Sequence, residues 1–209
     1  FVGTSDGWQD ISSNKKMTWE YEMAEKGNVA LTGEIDLKAC DGKFLLALGF
    51  GRNVAEASLQ ARTTLLQGFE EVSETYVKEW KKWHDRKLSL PDRTKVGDSN
   101  LYKTGLTVIK AHEDKRFVGG FIASLSIPRG NNTSDHQLGG YHLVWPRDLV
   151  NAAGALIALG HNVLARRTLR YLMSTQEEDG RWAQNLWLDG TPYWNGVQMD
   201  EIAFPILFA

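Results

Sequence analysis

The stretch GGYHLVWPRDL, residues 139–149, decides how the second half of this chain folds. Pro146 suits the first position of a helix, because its fixed φ is already helical and its missing N–H would have no partner there. Apolar residues follow from Val150 at helical spacing, and Gly160 is placed to end the helix. The stretch therefore predicts a helix whose first turn carries an Arg-Asp pair and is preceded by aromatic rings.

The residues around this helix start have the chemistry that a sugar requires. Indole and phenol rings such as Trp145 and Tyr141 can stack on the apolar face of a pyranose, while Arg147 and Asp148 offer donors and acceptors to its hydroxyls. The structural alternative is a buried aromatic beside a local ion pair, with Asp148 as a partner of the helix dipole. The residues alone leave both interpretations open.

A second cluster, GRWAQNLWLDGTPYWNGVQMDE, covers residues 180–201. Its aromatic residues fall in what we interpret as a long loop over residues 177–195, and loops carry function more often than packing. The next helix begins at residue 196 or 197, so Gln198, Asp200 and Glu201 lie at its start. Glu201 could be a general acid, since a carboxyl group near indoles is desolvated. The alternative is that both acidic residues cap the helix. The aromatic residues are Trp182, Trp187, Tyr193 and Trp194.

Composition limits the possible partners. The 209 residues carry 24 basic and 26 acidic side chains, a net charge of −2, which argues against nucleic acid as a ligand. No apolar run approaches the roughly 18 to 20 residues of a membrane span. The single Cys40 leaves the compartment open. We expect a piece of a longer polypeptide, because the chain starts at Phe1 and stops within an apolar run.

Three other kinds of site lack their signatures. The five histidines form no HxxxH or HxH pair, so we expect no metal site. No GxSxG elbow is present, and GFGRN at residues 49–53 lacks the phosphate-binding GxGxxG pattern. We therefore set aside a metal site, a Ser-His-Asp arrangement and a phosphate-binding loop.

The first 51 residues have a strand-like pattern. Alternating runs cover residues 29–37 and 43–50, and turn signals occur at Lys26-Gly27 and at Asp41-Gly42. This pattern predicts the end of a β-sandwich.

The period changes to helical at Asn53, which lies three residues before Glu56 in capping-box spacing. Gly68 could kink the helix that follows. We expect Trp80 and Trp83 to pack in a core or between domains, because helical spacing accounts for them. The predicted apolar stripe consists of Leu65, Phe69, Val72, Tyr76, Trp80 and Trp83.

A domain boundary is expected near the polar segment 91–100, where Asp98 and Ser99 could cap a helix over residues 100–113. An extended segment is predicted for residues 117–127 and a loop for residues 128–140. A further helix is predicted for residues 162–175.

Together, YHLVWPRD and DGTPYWNGVQMDEIAFPI resemble the prokaryotic glucoamylase and glucodextranase family, the inverting exo-acting α-glucosidases of glycoside hydrolase family 15. The resemblance covers most of the chain. It implies a multidomain β + α fold: the end of an N-terminal β-sandwich at residues 1–52, a helical linker at residues 53–97, and the first part of an (α/α)6 barrel at residues 98–209.

Carried over by position, the resemblance implies that Arg147 and Asp148, in the family's W-x-R-D motif with Trp145, hold the terminal glucose. Tyr141 would line the innermost subsite. The general acid and base would lie in segments this chain does not contain, so Glu201 would support the site, as would Trp187, and no catalytic residue is expected here. The subsite wall would be formed by a W-x-x-x-Q-x-D segment made of Trp194, Gln198 and Asp200.

The resemblance implies that this chain, together with the rest of the same polypeptide, cleaves glucose from the non-reducing ends of α-glucans or oligosaccharides. It also implies no cofactor, no nucleic acid and no membrane partner. We expect secretion, with a cytoplasmic location as the alternative. The functional alternatives are a glucodextranase or trehalase-like hydrolase and a glycan-binding toroid without catalysis. The isolated piece is expected to be inactive.

Overall fold

The computed structural model describes residues 3–23, 31–85, 95–96, 99–126 and 140–209. The chain divides into two compact units, Phe1–Trp80 and Lys81–Ala209, which are described separately. Several predictions lie wholly or mostly outside the described residues: the turn at Lys26-Gly27, the cap at Asp98, and the loop at residues 128–140. Within the described ranges, no helix has the length and apolar character needed to cross a membrane.

The first unit begins with a helix, α1 (Gly7–Asn14), where the strand-like interpretation had predicted none. Asp6 caps it by accepting the N–H groups of Trp8 and Gln9. The alternation pattern missed this helix because it reports only the spacing of apolar residues. The Asp6 cap, which satisfies the first N–H groups of the helix, does not affect that spacing.

The expected sandwich strands are also absent from the described part of the first unit. Residues 31–36 and 43–50 form no ladder, and only a turn at residues 37–42 separates them. The alternating side chains are largely exposed, with Leu46 at 77% and Phe50 at 82%. A strand is stable only when a neighbour pairs with it, and the described residues offer these segments none.

The first long helix begins where predicted. In α2 (Val54–Gln67), the Asn53 side chain accepts the N–H of Glu56 at 2.9 Å, which confirms the predicted cap. Gly68 does more than kink the helix: its φ of 87° ends α2, and α3 (Phe69–Asp85) follows at once.

After the end of α3, the second unit contains a small antiparallel pair, β1 (Lys95–Val96) and β2 (Ser99–Asn100), followed by α4 (Leu101–His112). Asn100 caps α4 by accepting the N–H of Lys103, so the expected cap at Ser99 is wrong by one residue. An isolated bridge then joins Glu113 to Phe121 in the segment predicted to be extended.

A helical hairpin follows. In α5 (Pro146–Ala158), Pro146 occupies the first turn as predicted, and α6 (Asn162–Ser174) begins two residues after Gly160. Gly160 has φ of 79°, and the N–H of His161 reaches the carbonyl of Leu156. This Schellman arrangement requires the left-handed residue that glycine supplies.

The aromatic loop predicted at residues 177–195 contains a β-hairpin. Its strands are β3 (Asn185–Leu186) and β4 (Pro192–Trp194), which pair antiparallel with a register shift. Leu186 also bridges to Val144, just before α5. The last helix, α7 (Met199–Phe208), begins after Gln198, two or three residues later than predicted.

The core of the second unit lies between these elements. Helix α5 packs against both α6 and α7, and the hairpin closes over its N-terminal end through Val144. Trp83 packs against this core and stacks on His161, with ring centroids 4.2 Å apart, which agrees with a packing role. The buried cluster consists of Phe121, Val144, Leu149, Leu156, Ala165, Tyr171, Leu172, Trp182, Ala183 and Leu186.

Candidate sugar-binding site

Arg147 is the centre of the candidate site. It lies in the first turn of α5, and its guanidinium donates from Nη2 to the neighbouring Asp148 at 3.0 Å and from Nη1 to Asp200 in the first turn of α7. Its side chain is about one third exposed, as are those of Asp148 and Asp200. Two carboxylates and a guanidinium therefore meet at the surface, where two helices begin.

Glu201 contacts both the backbone and the side chain of Arg147. Its Oε2 accepts the backbone N–H of Arg147 at 2.7 Å, and its Oε1 lies 3.3 Å from the Nη1 of Arg147. The side chain is fully buried. Burial raises the pKa of Glu201 to about 7, and the N–H and the charge of Arg147 only partly oppose that effect.

Asp200 has the opposite shift. The hydrogen bond from Arg147 lowers the pKa of Asp200 from its ordinary value, and a side-chain hydrogen bond from Gln198 acts in the same direction. Gln198 is in turn held by Gln184, whose Nε2 donates to its Oε1 at 3.0 Å. Asp200 thus stays ionised as a hydrogen-bond acceptor beside a fixed cation.

Two indoles flank the charged group. Trp145, immediately before α5, and Trp194, at the end of β4, meet edge to face with centroids 5.7 Å apart and planes at 83°. The Nε1 of Trp145 donates to the carbonyl of Gly140 at 2.8 Å. Gly140 has φ of 78°, and a Cβ there would lie 3.3 Å from the Trp145 ring, so glycine suits this close approach.

Tyr193 continues this aromatic series away from the charged group. Its ring lies 5.6 Å from Trp194 and 5.4 Å from Trp187, measured between centroids. The Tyr193 ring therefore contacts both Trp187 and Trp194 and links the two indoles. Tyr141 is 43% exposed, and its carbonyl accepts the N–H of Ser124.

The structure thus brings most of the predicted residues together. One group is joined by hydrogen bonds and ion pairs, and a second by ring contacts. The first consists of Arg147, Asp148, Gln198, Asp200 and Glu201; the second consists of Trp145, Trp187 and Trp194.

Sequence reasoning missed the part played by Asn185. This fully buried residue of β3 accepts the backbone N–H of Trp194 through its Oδ1 at 2.9 Å, and so fixes the backbone that carries the indole. The Asp189-Gly190 pair is a hairpin signal that could have shown that residues 185 and 194 face each other.

A cavity of about 620 Å³ lies elsewhere in the second unit and contains none of the predicted site residues. The candidate site is therefore an open surface of rings and charges and not this cavity. In the part of the chain that the structure describes, no group of three or more His, Cys, Asp or Glu residues could hold a metal ion. The cavity is lined by Phe117, Val118, Arg167, Arg170, Tyr171, Ser174, Thr175, Leu188, Asp189 and Gly190.

Comparison of the chain with known proteins identifies its relatives. Residues 1–85 match the family model for glucodextranase, domain N, and residues 98–209 match that for glycosyl hydrolases family 15. A glucoamylase of Clostridium sp. (strain G0005) is 38% identical over all 209 residues, which span 29% of its length.

A solved structure is also similar to this chain. The crystal structure of a bacterial glucoamylase complexed with acarbose matches 99% of this chain with a TM-score of 0.72 and 34% identity, and the match covers 30% of that protein. This chain thus spans about three tenths of the length of these relatives. Because the family 15 model matches more than half of its residues, the chain belongs to glycosyl hydrolases family 15.

Proposed function

We propose that this chain is part of an inverting, exo-acting α-glucosidase of the glucoamylase type, which releases glucose from the non-reducing ends of α-glucans. The observation that carries the proposal is the position of Arg147, held at the starts of two helices between Asp148 and Asp200. Similarity to a glucoamylase along the whole chain supports it.

Arg147 and Asp148 would hold the outer hydroxyls of the terminal glucose. A guanidinium donates and a carboxylate accepts, so a ring carrying adjacent hydroxyls satisfies both. Trp145 and Trp194 would supply apolar surface for the sugar ring, while Tyr141, Gln198 and Asp200 would complete the subsite wall. We call Arg147 and Asp148 the sugar clamp. Because the sugar clamp would bind a chain end, it would favour attack at that end.

The chemistry would be completed by carboxyl groups that this chain does not supply. In an inverting mechanism, an acid protonates the glycosidic oxygen while a base activates water from the other face, the two groups being about 6.5 to 9.5 Å apart. Full burial argues against Glu201 as the acid, since a general acid must reach the glycosidic oxygen. Here the chain would bind and orient the substrate.

We extend the proposal to the architecture. Helices α4 to α7 would be the first part of an (α/α)6 barrel at residues 98–209, after a helical linker at residues 53–97 and the end of a β-sandwich at residues 1–52. The match of a glucoamylase structure along nearly the whole chain supports this assignment. Secretion and the absence of a cofactor stay predictions from the sequence.

Arg147→Ala and Asp148→Asn in the full-length enzyme test the sugar clamp. We expect each to lower kcat/KM on maltose about tenfold or more, because each removes charge-assisted hydrogen bonds to the substrate. Arg166→Ala, at an exposed arginine of α6, is the matched control and should leave kcat/KM unchanged. Wild-type kinetics in both site variants would remove the subsite assignment.

Product profiles separate the alternatives. The glucodextranase domain N match does not by itself favour dextran-type linkages, because a glucoamylase aligns over the same residues. We expect faster glucose release from maltose than from isomaltose or trehalose, with β-glucose as the first anomer. Faster hydrolysis of isomaltose or trehalose would favour the related hydrolases. Binding of these sugars without hydrolysis would favour a glycan-binding protein.

A further inference from the structure

Helix α5 begins without a cap of its own. Its N-cap residue is Trp145, whose backbone is extended (φ −110°, ψ 119°) and whose side chain makes no capping hydrogen bond. Caps are normally Ser, Thr, Asp or Asn, because the first N–H groups of a helix have no partner within it. Pro146 has no N–H, so the first such donor belongs to Arg147.

Glu201 supplies the missing acceptor from α7, 54 residues further along the chain. Its Oε2 lies 2.7 Å from the backbone nitrogen of Arg147, and its Oε1 lies 3.3 Å from the Nη1 of the same residue. A single buried carboxyl group therefore holds both the main chain and the side chain of Arg147.

This arrangement frees the N-cap position for an aromatic residue. An indole cannot accept a hydrogen bond from the helix, but at this position it meets Trp194 edge to face and donates to the carbonyl of Gly140. If the cap were supplied locally, a short polar side chain would stand where Trp145 does.

We propose that Glu201 caps α5 from α7 and is the positioning residue of the segment Trp145 to Asp148, setting both the helix start and the direction of the Arg147 guanidinium. The capping role is independent of the substrate. The effect on sugar binding rests on the proposed function.

Hydrogen exchange tests the cap in a double-mutant cycle on the full-length enzyme. Glu201→Leu should speed exchange in the first turn of α5 about tenfold, which is about 1.4 kcal/mol and within the range of a lost cap. Trp145→Asn restores a local cap, so the same change in that background should have a smaller effect. An equal effect in both backgrounds, or no effect in either, would overturn the capping role.

Glu201→Gln separates the two contacts. An amide oxygen can still accept the N–H of Arg147, and in assays at pH 8, where Glu201 is ionised, the substitution removes the charge that faces the guanidinium. We expect exchange in α5 to stay within about threefold of wild type, while the KM for maltose rises about threefold and kcat changes less. Glu201→Leu, which loses both contacts, should lower kcat/KM about tenfold. Glu178→Gln and Glu178→Leu, at an exposed carboxyl group, are the matched controls.

The outcomes distinguish this inference from the proposed function. If Arg147→Ala and Asp148→Asn lower activity but Glu201→Leu keeps kcat/KM within about twofold of wild type, the positioning role is wrong and the sugar clamp stands. If all three variants hydrolyse maltose normally, the proposed function fails, while the exchange cycle still decides the cap.

Discussion

The two units of the chain differ in how they bury side chains. Between residues 81 and 209, apolar residues of α5, α6 and the β3–β4 hairpin form a contiguous core, with Leu156 and Val144 fully buried. Among the described residues of the first unit, only Asp10 is buried. The second unit thus has an apolar core, whereas the described residues of the first unit bury a single carboxylate.

The difference reflects where hydrogen-bond partners come from. A helix satisfies its backbone internally, so α5 and α6 form from adjacent residues and then bury their apolar stripes against each other. A strand needs a neighbour, and the alternating segment at residues 43–50 has none within the described residues. The apolar alternation of the first unit therefore marks a surface that strand pairing would cover.

Truncating leucines in the two regions should give the largest contrast. Leu156→Ala, in α5, should cost about 2 to 5 kcal/mol of local stability because it leaves a cavity. Leu48→Ala, at a residue that is 74% exposed, should cost less than about 0.5 kcal/mol. Hydrogen exchange of α5 and of residues 43–50 in the full-length enzyme measures both. A comparable loss at Leu48 would show that its surface is covered there.

The pH dependence of the second unit should show the next largest effect. The pKa of Glu201 is raised to about 7, so between its ordinary value near 4.5 and pH 7 the folded state holds a proton that the unfolded state has lost. Stability should therefore fall as the pH rises through this window, on the order of 2 kcal/mol. Opening free energies of α5 at pH 5 and pH 7.5 measure it, and Glu201→Gln should flatten the difference.

The first unit should respond in the opposite direction. Burial alone would raise the pKa of Asp10, but hydrogen bonds from Asn14, Trp19 and Thr18 outweigh it and hold that pKa well below the usual range. Its contribution is present above about pH 4 and is lost as the pH falls further. Exchange around α1 should therefore increase at low pH in the wild type and show little such increase in Asp10→Asn. An acid response that is equal in the two proteins would contradict this account.

The smallest expected effect concerns the start of α2. Asn53→Ala removes the acceptor of the Glu56 N–H and should cost the helix about 1 kcal/mol. Asn53→Asp keeps a capping oxygen and is the control. Exchange in the first turn of α2 checks the prediction, and equal protection in the alanine variant would show that the cap is not needed.

The sequence predicted the features that depend on neighbours along the chain. Pro146 and Gly160 mark the two ends of α5, and Asn53 marks the start of α2, because caps act within a few residues. Features that join distant residues were missed. No local pattern reveals that Glu201 caps a helix 54 residues earlier, or that Asn185 fixes the backbone of Trp194.

The candidate site shows the same division. The resemblance supplied Trp145, Arg147, Asp148 and Asp200 as a group, and the structure gives the hydrogen bonds that join the charged members. The strands expected in the first unit have no partner among the described residues for the complementary reason: alternation distinguishes the two faces of a strand but does not identify the strand that pairs with it.

The most direct test of the sugar clamp is a crystal structure of the full-length enzyme with acarbose, the ligand bound by the bacterial glucoamylase that this chain resembles. We expect the side chains of Arg147 and Asp148 to lie within hydrogen-bond distance of hydroxyls on the non-reducing terminal ring, beside Trp145. A terminal ring bound elsewhere, with Arg147 and Asp148 contacting only protein, would contradict it.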